Sequence, residues 1–445
     1  MKEDNNLVSR VKRYSKVTTS MTSLATKFAG KKYLNFDLSD QKYAAQITEI
    51  LGNLKGPLMK VAQLSATIPD LLPEEYARKL AELQSNAPPM SWVFVRKRMK
   101  AELGDNWEKN FSQFDKEASF AASLGQVHRA NLDGKNVVCK LQYSDMLSIV
   151  EADINQLKLI FSVYKKFDST INTSEIETEI ISRVREELDY NLEQKHMLIF
   201  NEIFKNNDAV NIPKVIKKIS TKRLLTMNFL DGDKLLNFTK HKVSHRKKLA
   251  INMFKAWYLP FYKYGIIHGD PHLGNYSADK NLNINLLDFG CIRFFKPSFV
   301  QGVIDLYNSI KDNNEDLAVK AYKSWGFENI SKNLIEILNI WAKFLYSPLL
   351  KDKSIKMQET NSSVYGAEAA SKVHKELKKI GGVKPPREFV FMDRAAIGMG
   401  SVFLHLDAEV NWYREFHSLI GGFSQKEMMV KQKNLFRIAK MKENL

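Results

Sequence analysis

Cysteine is scarce in this chain: two residues in 445, Cys139 and Cys291. Two lone thiols build no disulfide framework, which excludes the small stapled scaffolds of secreted proteins and points to a reducing compartment. Long apolar runs are missing too. No window approaches the roughly 18 apolar residues that a spanning helix needs. The N-terminus has basic residues without the apolar stretch and small-residue cleavage site of a secretory signal. The expectation is a cytosolic protein, with peripheral attachment to a membrane as its extension. The basic ends carry few aromatics on which bases could stack, so no nucleic-acid partner is expected.

What is present is ordinary for a folded protein: 44% hydrophobic and 26% charged residues. The length suits two or three structural units. The formal net charge of +17 asks for an anionic partner. Much of the excess is terminal: Arg10, Lys12, Arg13, Lys16, Lys27, Lys31 and Lys32 at one end, Lys426, Lys431, Lys433, Arg437, Lys440 and Lys442 at the other. These read as solvated tails or as contacts to an anionic membrane surface.

Along the chain, 1–33 reads as a basic flexible or membrane-surface arm and 34–114 as a helical extension. In the extension, Ile47, Ile50, Leu51, Leu54, Leu58 and Val61 recur at helical spacing. Ser91 is placed to cap a helix running to Leu103. The character changes after Asp115. Segments 120–130 and 136–143 read as strands joined at Asp133-Gly134, a hairpin signal. Helices are expected over 145–167, 174–205 and 243–264, and strands over 212–219, 223–229 and 282–287. From 297 onward the pattern is helical, with an unstructured insert near 351–385. The units are a small lobe over 115–231 and a helical lobe over 232–445, an α+β, bilobal, protein-kinase-like fold.

The chemistry sits in two motifs. His268-Gly269-Asp270-Pro271-His272-Leu273-Gly274-Asn275 is followed by Asp288-Phe289-Gly290, with Asp288 thirteen positions after Asn275. Phosphoryl transfer needs a carboxylate to orient the attacking oxygen and oxygen ligands to hold Mg²⁺ on the phosphates. Asp270 precedes Asn275 by five residues, as the Asp precedes the Asn in a kinase catalytic loop. Asp270 takes the catalytic role, and Asn275 and Asp288 hold the metal. Lys140, in the strand Val137-Val138-Cys139-Lys140, is the candidate phosphate-pairing lysine, with Glu187 as its first-choice partner and Glu193 in reserve. Where glycines cover the phosphates in an ordinary kinase, this chain has Ala121, Ala122 and Ser123. Methyl groups there restrain the hairpin and alter how ATP or ADP sits.

These residues resemble the UbiB/AarF/ADCK family of atypical kinases. Ala-Ala-Ser-Leu-Gly-Gln-Val-His (121–128) is similar to its alanine-rich loop, Glu187-Leu188-Asp189-Tyr190 with Glu193 to its Glu-x-Asp helix, and 268–275 to its catalytic loop. Lys60-Val61-Ala62-Gln63 is similar to its Lys-x-Gly-Gln signature, with Ala62 in place of the glycine. Leu273 stands where the loop usually has proline. The resemblance covers about 40–300. It implies a helical extension packed over the active site, with Lys60 and Gln63 in catalytic roles and protein-sized substrates blocked. It further implies ATPase activity with Mg²⁺ and ATP or ADP. It also implies support of ubiquinone or related isoprenoid-lipid biosynthesis, with an isoprenoid lipid or quinone precursor and quinone-biosynthesis proteins as partners. Two alternatives stay open: a small-molecule kinase of the aminoglycoside or choline type, and a catalytically silent nucleotide-sensing scaffold.

Overall fold

The computed structural model of the protein describes residues 90–442, less 159–171, 382–387, 389–398 and short gaps at 123, 145, 149, 152–153, 156–157, 173, 271, 328–329, 359–361 and 401. The basic arm over 1–33, the extension as far as 89, and with them Lys60, Ala62 and Gln63, lie outside the described residues, as does Ser123.

Helix α1 (Trp92–Leu103) spans the expected stretch. Ser91 occupies its N-cap position, but the side chain makes no capping hydrogen bond. Packing holds the helix instead. Val95 and Met99, one turn apart, share an apolar cluster with Trp107, Phe111, Val137 and Leu224 on one face of the small-lobe sheet.

That sheet begins with β1 (Gln113–Phe114), β2 (Phe120–Ala122), β3 (Gly125–Leu132) and β4 (Lys135–Gln142). The stretch 120–130 is therefore two strands and not the single one expected. The chain reverses after Ala122, so that Ala121 lies opposite Gln126 and Ala122 opposite Gly125. A Cβ at Gly125 would lie 2.1 Å from the Leu141 carbonyl oxygen, so the close approach to β4 is open to glycine alone. The β3–β4 hairpin turns where the sequence places it. Asp133 (φ 51°) and Gly134 (φ 77°) both adopt the left-handed conformation that a two-residue type I′ turn demands.

Next come α2 (Ser174–Glu186), α3 (Tyr190–Ile203), β5 (Val210–Asn211) and β6 (Leu224–Asn228). The continuous helix expected over 174–205 is broken at 187–189. The Asp189 side chain accepts the Asn191 N–H at 3.0 Å and caps a new helix, which outcompetes continuation of the old one. Strand β6 pairs antiparallel with β4 and completes the order β1-β3-β4-β6, with β2 beside β3. The strand expected over 212–219 reduces to one bridge, Val215 to Met227, before a 3₁₀ turn at Lys217–Ile219.

The second lobe follows with β7 (Asp233–Lys234), α4 (Val243–Tyr264), β8 (Ile266–His268), β9 (Tyr276–Ala278), β10 (Ile284–Leu286) and β11 (Ile292–Phe294). Strands pair in the order β5-β10-β9-β7, and β8 pairs with β11. These short pairings bring the ends of β8, β9, β10 and β11 together. Helix α4 fills the centre of the lobe with Leu249, Met253, Phe254, Trp257 and Phe261, all buried.

Helices α5 (Pro297–Asp312), α6 (Glu315–Ser324), α7 (Lys332–Tyr346), α8 (Ser362–Lys379), α9 (Trp412–Ile420) and α10 (Gln425–Ala439), with a strand pair β12 (Ile355–Lys356) and β13 (Glu409–Val410), complete the described chain. Two expectations are corrected here. The insert expected to be unstructured near 351–385 holds β12 and α8. The C-terminal basic segment is not a tail. Lys426, Lys431, Lys433 and Arg437 lie on the outer side of α10, whose Met428, Gln432, Leu435, Phe436 and Ala439 are buried, and Lys440 is its C-cap. Among the described residues no helix is long and apolar enough to cross a membrane. Cys139 and Cys291 are buried and free, and burial pushes the Cys139 thiol up to about 12.

Candidate active site

Strand β4 carries Lys140 out of the sheet toward α3 and the segment after β10. Its Nζ donates to both oxygens of Glu193, at 2.8 and 3.0 Å, and to Asp288 Oδ2 at 2.9 Å. Lys140 and Glu193 are buried, while a third of the Asp288 side chain is exposed. Burial works against the Lys140 charge. Asp288 and Glu193 outweigh it and hold the ammonium well above the ordinary lysine range. Burial raises the Glu193 carboxyl, and the pull of Lys140 works against that rise.

Glu193, and not Glu187, is thus the partner of Lys140. The physical reason is the helix break. Glu187 sits in the turn between α2 and α3 and lies beside Gly290, whereas Glu193 occupies the first turn of α3 and faces the lysine. Tyr190, at the start of α3, places its ring 5.3 Å from the Lys140 Nζ. Its hydroxyl is buried with no hydrogen-bond partner among the described residues, and a Cβ at Gly125 would lie 2.9 Å from it. Burial, more than any neighbouring charge, raises the Tyr190 phenol, so it stays a neutral O–H.

The catalytic-loop candidates follow β8. Asp270 is buried, and its backbone is pinned on both sides. Its carbonyl accepts the Tyr276 hydroxyl at 2.8 Å and the Asn275 Nδ2 at 3.3 Å. Its N–H donates to His268 Nδ1 at 3.3 Å. The same imidazole, with Nδ1 an acceptor, carries its proton on Nε2 and donates to the Asp288 carbonyl at 2.6 Å. One buried histidine therefore fixes the catalytic loop to the Asp-Phe-Gly segment. Asn275 ends a 3₁₀ turn, and its amide nitrogen is committed to the Asp270 carbonyl, which leaves the amide oxygen for a ligand.

The Asp-Phe-Gly backbone is gripped throughout. Gly290 N–H donates to Asp288 Oδ1 at 2.8 Å, and Phe289 N–H to Glu193 Oε1 at 3.3 Å. His196 Nδ1 meets the Phe289 carbonyl at 2.9 Å and must be the protonated nitrogen there. Burial, with help from Arg293 and Arg183, lowers the His196 pKa to about 3, so the ring is neutral. Beneath it, Arg293 on β11 reaches Glu179 at 3.4 Å and Glu186 at 3.6 Å, which anchors α2 to the strand after the motif.

The structure brings Lys140, Glu193 and Asp288 into one cluster, and holds Asp270 to Asn275 and, through His268, to Asp288. Ala121 and Ala122 lie on β2, which pairs with the strand leading away from Gly125. His196, His268, Tyr190 and Tyr276 were not singled out in the sequence as site residues. The signal for His196 was there: it lies three residues after Glu193 on one helix, and so on the same face. The residues present suit a magnesium-nucleotide. Among the described residues no cluster of three or more His, Cys, Asp or Glu side chains could cage a metal. Asp288 with Asn275 instead suits an ion whose coordination is completed by phosphate and water, the habit of Mg²⁺.

Residues 82–322 match the family model of the ABC1 atypical kinase-like domain. The Arabidopsis thaliana chloroplastic protein Activity of BC1 Complex Kinase 8 is 30% identical over 281 residues, 61% of this chain and 37% of that protein. The mitochondrial atypical kinase COQ8 of Saccharomyces cerevisiae is 28% identical over 258 residues, 57% of this chain and 52% of that protein. The chain thus spans about half, or less, of the length of these two relatives. A Mycobacterium tuberculosis protein solved in complex with erythromycin superimposes with a TM-score of 0.59 at 22% identity, over 86% of this chain and 97% of that one.

Proposed function

This chain belongs to the ABC1 atypical kinase-like family, and from that premise we propose that it binds magnesium with ATP or ADP and hydrolyses ATP. The work of hydrolysis acts on a membrane-held isoprenoid lipid or quinone precursor, in support of ubiquinone-type lipid biosynthesis, and not on protein substrates. The observation that carries the nucleotide reading is the single charged cluster of Lys140, Glu193 and Asp288, drawn from three separate elements and joined by His268 to the loop of Asp270 and Asn275.

In this reading Lys140, kept charged by two carboxylates, donates to the phosphates. Asp288 and Asn275 are the residues that would hold magnesium, which neutralises phosphate charge when bound. Asp270 orients the attacking water and accepts its proton. Lys140 and a bound cation compete for Asp288 Oδ2, so nucleotide arrival and metal arrival are coupled. The lipid and quinone part, like the catalytic roles of Lys60 and Gln63, rests on the family resemblance. An anionic membrane surface fits the net charge of +17, and quinone-biosynthesis proteins are the partners that go with it.

The test is thermal unfolding of the wild type and Asp288→Asn, each with and without Mg²⁺ plus ATP or ADP. A ligand at about a hundred times its dissociation constant adds ~2.7 kcal/mol of stability. A magnesium-dependent rise that disappears in the variant is the expected result. No rise with either nucleotide in the wild type overturns the reading.

A further inference from the structure

We propose that His196 is a positioning residue that aims the Asp288 carboxylate. The inference rests on the metal-site reading of Asp288 and names a residue that the family motifs leave out. Helix α3 presents Glu193 and His196 one turn apart, and both close on a single residue, Phe289. Glu193 Oε1 accepts its N–H at 3.3 Å, and His196 Nδ1 donates to its carbonyl at 2.9 Å. The two peptide units that flank Phe289 are thereby fixed in rotation. The first of them begins at the Asp288 carbonyl, itself held by His268 at 2.6 Å. The second ends at Gly290 N–H, which holds Asp288 Oδ1 at 2.8 Å. Asp288 therefore sits in a frame whose far side is closed by His196. Without that donor the Phe289 carbonyl is unpaired in the core, the second peptide unit is free to rotate, and the N–H that orients Oδ1 rotates with it.

The ring suits a fixed strut. It is buried, it is neutral, and it contacts Phe294 of β11 at a centroid distance of 5.8 Å, so it neither titrates at physiological pH nor swings out. The required atom is also defined by bond count. Nδ1 of histidine and Nδ2 of asparagine are the same number of bonds from Cα, whereas the amide nitrogen of glutamine is one bond farther away. Asparagine restores the donor, and glutamine and leucine do not.

The experiment compares full-length wild type with His196→Asn, His196→Gln and His196→Leu by two readouts. The first is amide hydrogen exchange of the peptide spanning 287–291, without any ligand. The second is Mn²⁺ binding followed by electron paramagnetic resonance, at saturating ADP. The glutamine and leucine variants are expected to exchange about tenfold faster in that peptide, with global stability matched by choice of temperature. They are expected to bind Mn²⁺ about 10–100-fold more weakly, the usual loss when a residue supporting a metal ligand is removed. The asparagine variant stays within about threefold of wild type in both. Equal exchange in all four proteins overturns the proposal, as does an asparagine variant as impaired as the leucine one. Should leucine fail to fold, the asparagine–glutamine pair decides. Absence of Mn²⁺ binding by the wild type defeats the nucleotide–metal reading alone, because exchange still reports on the strut.

Discussion

Lys140 and Asp288 are 148 positions apart in the chain, yet Nζ and Oδ2 lie 2.9 Å from each other. The ammonium that is to meet phosphate occupies the carboxylate that is to meet metal. Each supplies the charge that the other needs while the site is closed, and Glu193 completes the balance.

Removing that balance is costly. Lys140→Met takes from buried Glu193 the ammonium that both its oxygens accept from, and a loss of about 3–5 kcal/mol is expected. Pairing it with Glu193→Leu returns most of the stability, because an apolar pair replaces a buried ionic one, but nucleotide binding is not recovered. Urea denaturation of both single variants and the double variant measures this. A single Lys140→Met variant within 1 kcal/mol of wild type, taken as ~1 on the scale of surface substitutions, contradicts it.

Gly125 tolerates no side chain. Gly125→Ala sets a Cβ 2.1 Å from the Leu141 carbonyl oxygen and 2.9 Å from the Tyr190 hydroxyl. Backbone on one side and a buried ring on the other leave little room to yield, so destabilisation of at least ~2 kcal/mol is expected. Thermal unfolding checks it, and an unfolding midpoint unchanged from wild type contradicts it.

Tyr190→Phe runs the other way. The hydroxyl is buried without a partner among the described residues, and an unsatisfied buried group of this kind costs about 1–3 kcal/mol. Its removal leaves stability unchanged or raises it, while the ring contact with Lys140 survives. A fall in the unfolding midpoint means that the hydroxyl has a bonding role in solution.

Acid weakens the fold through His196. Its folded pKa is lowered from 6.5 to about 3, so between those values the unfolded chain binds the proton and the folded chain does not. The contribution to stability is fully present above about pH 6.5 and falls by up to ~1.4 kcal/mol per pH unit below it. The stability difference between wild type and His196→Asn should therefore narrow as pH falls from 6.5 toward 4, measured by denaturant titration. A difference independent of pH refutes the assignment.

Helix α4 and the β3–β4 turn are legible in the sequence because each follows from local rules: a long helical period with Gly265 just past its end, and two adjacent residues that accept positive φ. The cluster of acids and lysine is legible as motifs. What the sequence hides is competition between local signals. The run 174–205 has helical pattern throughout, and only the Asp189 cap decides that it breaks, which exchanges the roles of Glu187 and Glu193. Likewise 120–130 reads as one strand until the backbone contact at Gly125 is seen. Buried histidine struts such as His268 and His196 are invisible without the carbonyls they serve, which come from elsewhere in the chain.

Gln432 of α10 donates to the Tyr264 and Phe295 carbonyls at 2.8 Å each, across 168 and 137 positions of sequence. These carbonyls lie at the end of α4 and just past β11, the two ends of the segment that carries Asp270, Asn275 and Asp288. A ribosome releases that segment well before it releases α10. During synthesis the segment therefore waits, with the face that α10 covers still open to water, until residues as far as 439 have emerged. Quality control of the nascent chain, by chaperone or protease, has its window in that interval, and substitutions in α10 far from any ligand can lower yield without altering the finished site.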